Sequence, residues 1–353
     1  MRTIHDVAKA AGVSITTVSR ALNGYSDVSE KTRQRVKRVA GELGYRPNAT
    51  ARNLRVKRTN TIAFAPCAPK HVDSKLFFKE FIGILAFDCF QHNLSLLATL
   101  PFSEQYEAEM YQELAGTGRV DGIILATIQP QDIRIPLLQK MGVPFVAFGR
   151  LVDEKNLSYP FVDVDGKTGV RKLVDYLYTQ GHRRIAYLSD TLGPSFLYYR
   201  RNGYLESLHN HGLPEDPRLM AMGMQRLEDI AREVTRMFAL PAEMAPTALV
   251  TSNDQLALYA LTTVREMGQS IGKGPGQIAV ASFDDLPFAA YVEPALTTMR
   301  QPMEDLSKLM LALLVSILKH EKLTISKTLY PHLIQLGEQQ FLLEPELIIR
   351  DSA

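Results

Sequence analysis

The sequence has no tryptophan and two cysteines, Cys67 and Cys89, which form neither a metal-ligand spacing nor a Cys-x-x-Cys pair. That leaves no disulfide framework and no cysteine zinc site, and it favours a reducing compartment. Without indole rings, any aromatic stacking falls to the 15 Phe and 14 Tyr. Long apolar runs are missing too. The longest, Leu309 to Leu318, contains Ser316 and falls well short of the ~20 residues that cross a bilayer, so it reads as a core helix. No secretory leader precedes Thr3, and a cytoplasmic chain with no membrane partner is expected.

Signs of enzymatic chemistry are equally scarce. Gly272, Gly274 and Gly276 form a Gly-x-Gly-x-Gly run, but Lys273 is followed by glycine, so no phosphate loop exists and a helix-to-strand loop is expected. His209 and His211, two apart on a helix, point to different sides and have no completing ligand set. No Gly-x-Ser-x-Gly elbow occurs. No catalytic residue, metal site or cofactor is expected.

What the chain does have is a lopsided charge. The net value is +2, yet residues 1–60 hold 13 Lys and Arg against 4 Asp and Glu, a balance of +9. The remaining 293 residues are therefore acidic, at −7. A basic head on an acidic body is the distribution expected when one end neutralises nucleic-acid phosphates and releases their counterions.

Two amphipathic helices are written into TIHDVAKAAGVSITTVSRALN, residues 3–23, on either side of Gly12. Thr3 is placed to cap the first, with Asp6 three residues on. Ser14 is placed to cap the second, with Val13 and Val18 as a hydrophobic staple and Val18, Ala21 and Leu22 as its buried stripe. This is a helix-turn-helix. Thr16 and Arg20, four apart, share the opposite face with Thr17 beside them. Hydroxyls and a guanidinium on an exposed helix suit a DNA major groove, where Arg can pair with guanine and Thr can meet a thymine methyl or a phosphate. Ser29 opens a third helix that ends at Gly44, its Val36, Val39, Ala40 and Leu43 closing a three-helix core.

Pro47 then interrupts the chain, and a short helix is expected from Ala49 to Val56. It is too short to be stable alone, so it needs a partner to fold. Ala51, Leu54 and Arg55 share its face. On the residues alone Leu54 reads either as a wedge between base steps in the minor groove or as an apolar side chain docked on the body.

From Thr61 onward strands alternate with helices, the pattern of a doubly wound α/β body. Strands are expected at 61–65, 94–99, 122–126, 145–148, 184–188, 219–223, 248–251 and 278–283, with helices at 76–91, 169–180, 197–211 and 255–268. Ligands of such sheets sit at the carboxyl ends of strands. Phe148 with Arg150, Asn253 with Asp254, and Asp284 with Asp285 lie just past those ends.

The opening TIHDVAKAAGVSITTVSRALNG, the hinge GYRPNATARNLR, QGHRRIAYLSD, SNDQLALYAL, SFDDLPFAAYVEPALTTMRQP and the closing LEPELIIRDS together resemble the LacI/GalR family of bacterial transcription regulators. The resemblance covers essentially the whole chain. It implies an all-α three-helix DNA-binding head, residues 1–46, a hinge helix and linker, 47–60, and a two-lobed α/β body, 61–353, built like periplasmic binding proteins. The expected lobes are about 61–159 with 291–324, and about 160–290 with 325–345, crossing near Tyr159, Ala290 and Thr324. It further implies a homodimer on a pseudo-palindromic operator in double-stranded DNA, with the hinge leucine Leu54 wedged in the minor groove, Arg55 near it, and Thr16, Thr17 and Arg20 facing bases.

The resemblance also implies a small-molecule effector, here a sugar, held in the cleft by Arg200, Asp284 and Asn253 with Phe161 and Phe148 as walls. Each has a duller reading. Asn253 and Asp254 can cap the following helix, Asp284 can cap a short helix at 286–291, both Phe can be core, and Arg200 can be interlobe packing, with Arg201 the alternative arginine. The chain departs from the lactose-type pattern in having Phe-Gly-Arg where a carboxylate often follows the strand ending at Phe148, and in lacking a leucine-heptad tail after Arg350. Phe-Gly-Arg followed by FVDVDG resembles regulators of α-glucoside or maltose-type use. Repression relieved by a sugar is expected; corepression or activation by a non-sugar metabolite is the alternative.

Overall fold

In a computed structural model, residues 2–45, 58–66, 75–99, 104–153, 157–189, 193–224, 227–326 and 328–353 are described. Ala51, Leu54 and Arg55 lie outside them. The chain divides into two units, Met1–Thr59 and Asn60–Ala353.

The head is three helices, α1 (Ile4–Ala11), α2 (Ile15–Leu22) and α3 (Glu30–Glu42). The Asp6 carboxylate accepts the Thr3 backbone N–H at 2.8 Å, and this bond holds Asp6 below its ordinary pKa. Gly12 ends α1 at φ +62°, a left-handed turn that costs a side-chain-bearing residue strain. Ser14 Oγ accepts the Thr17 N–H and starts α2. Val7, Ala8, Ala11, Val18, Ala21, Val28, Val36, Val39 and Ala40 bury one another, with Val13 packed against them.

The body contains two sheets. The first has β1 (Thr61–Pro66), β2 (Ser95–Ala98), β3 (Gly122–Ala126), β4 (Phe145–Phe148), β5 (Phe161–Val164), β11 (Leu333–Gly337) and β12 (Gln340–Leu343), in the order β11-β12-β5-β4-β3-β1-β2. The second has β6 (Ile185–Leu188), β7 (Met220–Ala221), β8 (Ala248–Thr251), β9 (Ala279–Asp284), β10 (Thr297–Arg300) and β13 (Glu346–Ile348), in the order β13-β10-β9-β8-β6-β7. All pairings are parallel except β11 with β12 and β10 with β13. Packed on the first sheet are α4 (Lys75–Gln91) and α11 (Met303–Lys319); α5 (Glu104–Gly116) and α6 (Arg134–Met141) complete that lobe. The second lobe carries α7 (Gly166–Thr179), α8 (Ser195–Asn210), α9 (Leu227–Phe238) and α10 (Asp254–Glu266). The central strands β1, β3 and β9 are buried almost throughout, as parallel strands covered on both faces must be.

The lobe crossings differ from those expected near Tyr159, Ala290 and Thr324. The chain changes sheets after β5 at Asp165, after β10 at Gln301 and after β12 at Glu344. The cause is strand pairing: β5 joins β4 and β12 in the first sheet, and β10 extends β9 in the second. The hairpin β11-β12 thus belongs to the first lobe, not the second. Residues 272–276 form the expected loop, in which Gln277 accepts the Gly274 N–H.

Candidate functional site

Two surfaces collect the residues singled out by the sequence. On the head, α2 presents Thr16 and Arg20 to solvent, together with Ile15, an exposed aliphatic that patterning did not mark. Thr17 is half-buried, and its hydroxyl shares a 2.8 Å hydrogen bond with Ser14 Oγ at the start of the helix. Arg20 is not idle on the head. Its Nη1 pairs with Asp27 at 2.5 Å and its guanidinium lies 6.0 Å from the Tyr25 ring. On α3, Lys31, Arg35, Lys37 and Arg38 are exposed, whereas Arg33 donates to the Tyr25 carbonyl at 2.8 Å and so ties α3 to the preceding loop.

On the body, the carboxyl ends of both sheets border one cleft of about 600 Å³, counted with the solvent it opens onto. Arg200, Asp284, Asn253 and Phe148 all line it. Arg200 is buried, on the first turns of α8. Its Nη1 donates to the Ser252 carbonyl, its Nη2 reaches Asp284 Oδ1 at 3.3 Å, and its guanidinium lies 3.7 Å from the Phe283 ring. Its Nε–H has no protein acceptor. Asp284, at the end of β9 with φ +127°, also accepts the Gln301 amide at 2.6 Å. It does not cap the 3-10 turn Pro287–Ala290, whose first residue follows Leu286.

The duller readings hold in part. Asn253 caps α10, its Oδ1 accepting the Leu256 N–H at 2.9 Å, while its side chain also borders the cleft. Asp254 ties α10 to the second sheet instead, accepting the Leu286 N–H at 2.8 Å and the Thr298 hydroxyl at 2.6 Å. Burial and the neighbouring Asp284 raise its pKa well above the carboxylate range. Phe148 serves both roles, packing 5.4–6.4 Å from the rings of Phe77, Phe78 and Phe81 while facing the cleft. Phe161 does not reach the cleft. It is fully buried at the amino end of β5 against Tyr159, 5.7 Å away, in the first-lobe core.

Several lining residues were not singled out by the sequence: Phe77, Phe78, Thr127, Asp163, Ser195 and Gln301. Phe77, Phe78 and Phe148 make one apolar wall. Ser195 Oγ is buried without a protein partner, and its backbone N–H donates to the Ile128 carbonyl of the other lobe at 2.8 Å. Thr127 sits at φ +55°, costly for a β-branched residue. Its carbonyl accepts Arg134 Nη2 at 3.1 Å, and Arg134 is fixed by Asp132 at 2.6 Å and the Tyr111 hydroxyl at 3.1 Å. A buried ion pair behind the wall thus holds the turn that faces the ligand space. Gly149, at φ +109° and against the Ile128 side chain, allows β4 to turn away at the rim.

The arrangement can bind, and among the described residues it shows no nucleophile with a base. It joins two buried unsatisfied polar groups, a guanidinium-carboxylate pair and an aromatic wall, a combination suited to a polar small molecule with one apolar face. Among the described residues no cluster of His, Cys, Asp and Glu could hold a metal ion, and no helix is long and apolar enough to cross a membrane.

Comparison with known proteins gives the same division. The family model for bacterial regulatory proteins, lacI family, matches residues 3–48, and that for a periplasmic binding protein-like domain matches residues 174–352. The HTH-type transcriptional regulator RafR of Escherichia coli is 33% identical over 287 residues, 81% of this chain and 83% of that protein. AglR of Rhizobium meliloti is 33% identical over 80% of this chain and 78% of its own length. Among solved structures, the lac repressor dimer bound to operator and the anti-inducer ONPF aligns with a TM-score of 0.80 at 25% identity, covering 99% of this chain and 98% of that one. The complex of the transcriptional regulator CelR with cellobiose aligns at 0.71 and 28% identity over the full length of both.

Proposed function

This chain belongs to the LacI family of bacterial transcriptional regulators, and from that premise we propose that it is a cytoplasmic repressor released from a pseudo-palindromic operator by a sugar. Its relatives are DNA-binding regulators, not enzymes. The observation that carries the sugar reading is the cleft itself. Arg200 and Asp284 offer a donor and an acceptor side by side, Arg200 Nε and Ser195 Oγ lack protein partners, and three Phe supply a face for the apolar side of a pyranose. An α-glucoside-type sugar is the finer form of this reading, supported by the Phe-Gly-Arg and FVDVDG runs.

Thr16 and Arg20 read bases in the major groove, and exposed Ile15 beside them suits a thymine methyl. Ala51, Leu54 and Arg55 act from the hinge in the minor groove. Two heads require two copies. On α4 the side chains of Phe87 and Phe90, three residues apart and 62% and 75% exposed, give an apolar stripe that a second copy would cover. The test is selection of an operator from random duplex DNA, followed by titration with a saccharide panel. The selected sites should be two-fold symmetric, and a saccharide should lower affinity for them. Arg20→Ala should relax base preference, whereas Lys37→Ala should only reduce the salt slope by about one. Equal losses for both variants on every sequence would overturn the groove assignment.

A further inference from the structure

We propose that Asp163, backed by Arg150, is an effector-binding carboxylate supplied by the first lobe, and that it selects a neutral polyhydroxylated ligand over an anionic one. This rests on reading the cleft as the effector site. Asp163 borders the cleft from the carboxyl half of the strand β5, across from Arg200, Asp284 and Asn253 of the second lobe. It is almost wholly buried. Its Oδ1 accepts the Val164 N–H at 2.9 Å, and its Oδ2 lies 3.6 Å from Arg150 Nε, an ion-pair distance too long for a hydrogen bond. Buried carboxylate oxygens seek donors, and ligand hydroxyls supply them.

The charge count sets the selectivity. Among the described residues the charged ones lining the cleft are Asp163, Asp284 and Arg200. Arg200 pairs with Asp284 and donates to the Ser252 carbonyl, so that only its Nε–H is left for a ligand. Arg150 does not line the cleft; it pairs with Asp163 and lies 4.0 Å from the Tyr199 ring. Among the described residues no second guanidinium lines the cleft to balance a ligand carboxylate or phosphate, which would meet two carboxylates in a poorly solvated space. Hydroxyl groups, by contrast, can donate to a carboxylate on each lobe at once. One ligand then bridges both lobes through like chemistry.

Asp163 also makes that bridge sensitive to pH. Its pKa is raised to about 6, because burial, with Asp165 adding to it, outweighs the lowering by Arg150, the Val164 N–H and Arg200; Tyr159 packs against the same strand. Protonation removes an acceptor, so affinity should fall as pH drops through about 6.

The experiment is calorimetric titration of the full chain with neutral glucose, galactose, maltose, cellobiose, melibiose and raffinose, and with glucuronate, galacturonate and glucose 6-phosphate. A neutral saccharide should bind, and each anion should bind at least tenfold more weakly than its neutral parent. Asp163→Asn should weaken the neutral ligand at least tenfold at pH 7.5 and flatten its affinity between pH 5 and 7, which a merely structural role would not do. Asp163→Glu, which keeps the charge, should restore the pH dependence. An anion binding the unaltered chain as tightly as its parent overturns the selectivity without touching the sugar reading. Unchanged affinity and pH profile in Asp163→Asn overturn the role of the residue. Binding by no saccharide of either class overturns the sugar reading itself and this inference with it.

Discussion

Asp163 ionises with difficulty because burial strips its charge of water, and the single ion pair with Arg150 offsets only part of that cost. Its folded pKa, about 6, lies above the ordinary 3.8. The folded state therefore holds this proton more tightly than the unfolded chain does. The corresponding stability is fully present below pH ~4 and is lost as pH rises through about 6, a difference of about 3 kcal/mol at 1.36 kcal/mol per pKa unit. Urea unfolding of the ligand-free chain and of Asp163→Asn at pH 4 to 7.5 should show this: relative to the variant, the unaltered chain loses about 2 kcal/mol across that range. A difference that stays flat with pH would mean that Asp163 is ionised throughout. The position escaped sequence reading because Asp163 is one acidic residue in a run of two, FVDVDG, and nothing local says which faces a cavity. Asp165 caps α7 through the Thr168 N–H, while Asp163 borders the cleft. Arg200, Asp284 and Asn253 were named through the family resemblance; Asp284 ends β9 and Asn253 caps α10, positions that also stand out locally, whereas Arg200 lies inside α8 and only the resemblance marked it. Phe161 was misplaced for a related reason. It lies on the same strand as Asp163 but at the amino end, and the cleft lies at the carboxyl ends.

Helices α7 and α8 show how an element fixes the site above it. They cross at Gly203, where an added Cβ would lie 2.1 Å from the Lys167 carbonyl oxygen and 3.1 Å from the Arg171 nitrogen. Both obstacles are backbone, so no side chain can swing aside. Gly203→Ala should force the helices apart and cost about 3 kcal/mol, measured as a lower urea midpoint. One turn away, Arg200 Cγ lies 3.0 Å from the Cβ position of Gly166, so the same displacement should move Arg200 and weaken ligand binding. A variant of unchanged stability would show that the helices can slide. Strand reading succeeded where burial on both faces wrote continuous apolar runs, as at β1, β3, β8 and β9. It failed at β10, whose TTMR has no apolar run, and at the mostly exposed β11. Those short strands decide which lobe each segment joins, and so the crossings were displaced while the fold class was not.

The molecule as a whole joins a head of charge +9 to an acidic body, so DNA affinity resides in one unit and ligand recognition in the other. Coupling between them must obey reciprocity. If a sugar lowers operator affinity by a given factor, operator must lower sugar affinity by the same factor, because both are sides of one thermodynamic cycle. Two hydrogen bonds join the lobes: Ser195 N–H to the Ile128 carbonyl at 2.8 Å, and the Tyr199 hydroxyl to the Leu151 carbonyl at 2.7 Å. A ligand that contacts Asp163 on one lobe and Asp284 on the other favours the arrangement in which both contacts are made. Its leverage on the head is limited to the difference in its affinity for the two arrangements. For a sugar-released repressor, calorimetric titration with the sugar that binds should give weaker binding with saturating operator than without it. The ratio should equal the fold-loss of operator affinity measured separately at saturating sugar. Tighter sugar binding in the presence of operator would reverse the sign of the coupling and make the ligand a corepressor. Equal affinities with and without operator would mean that the ligand does not distinguish the two arrangements, and that release of the operator must come from another signal.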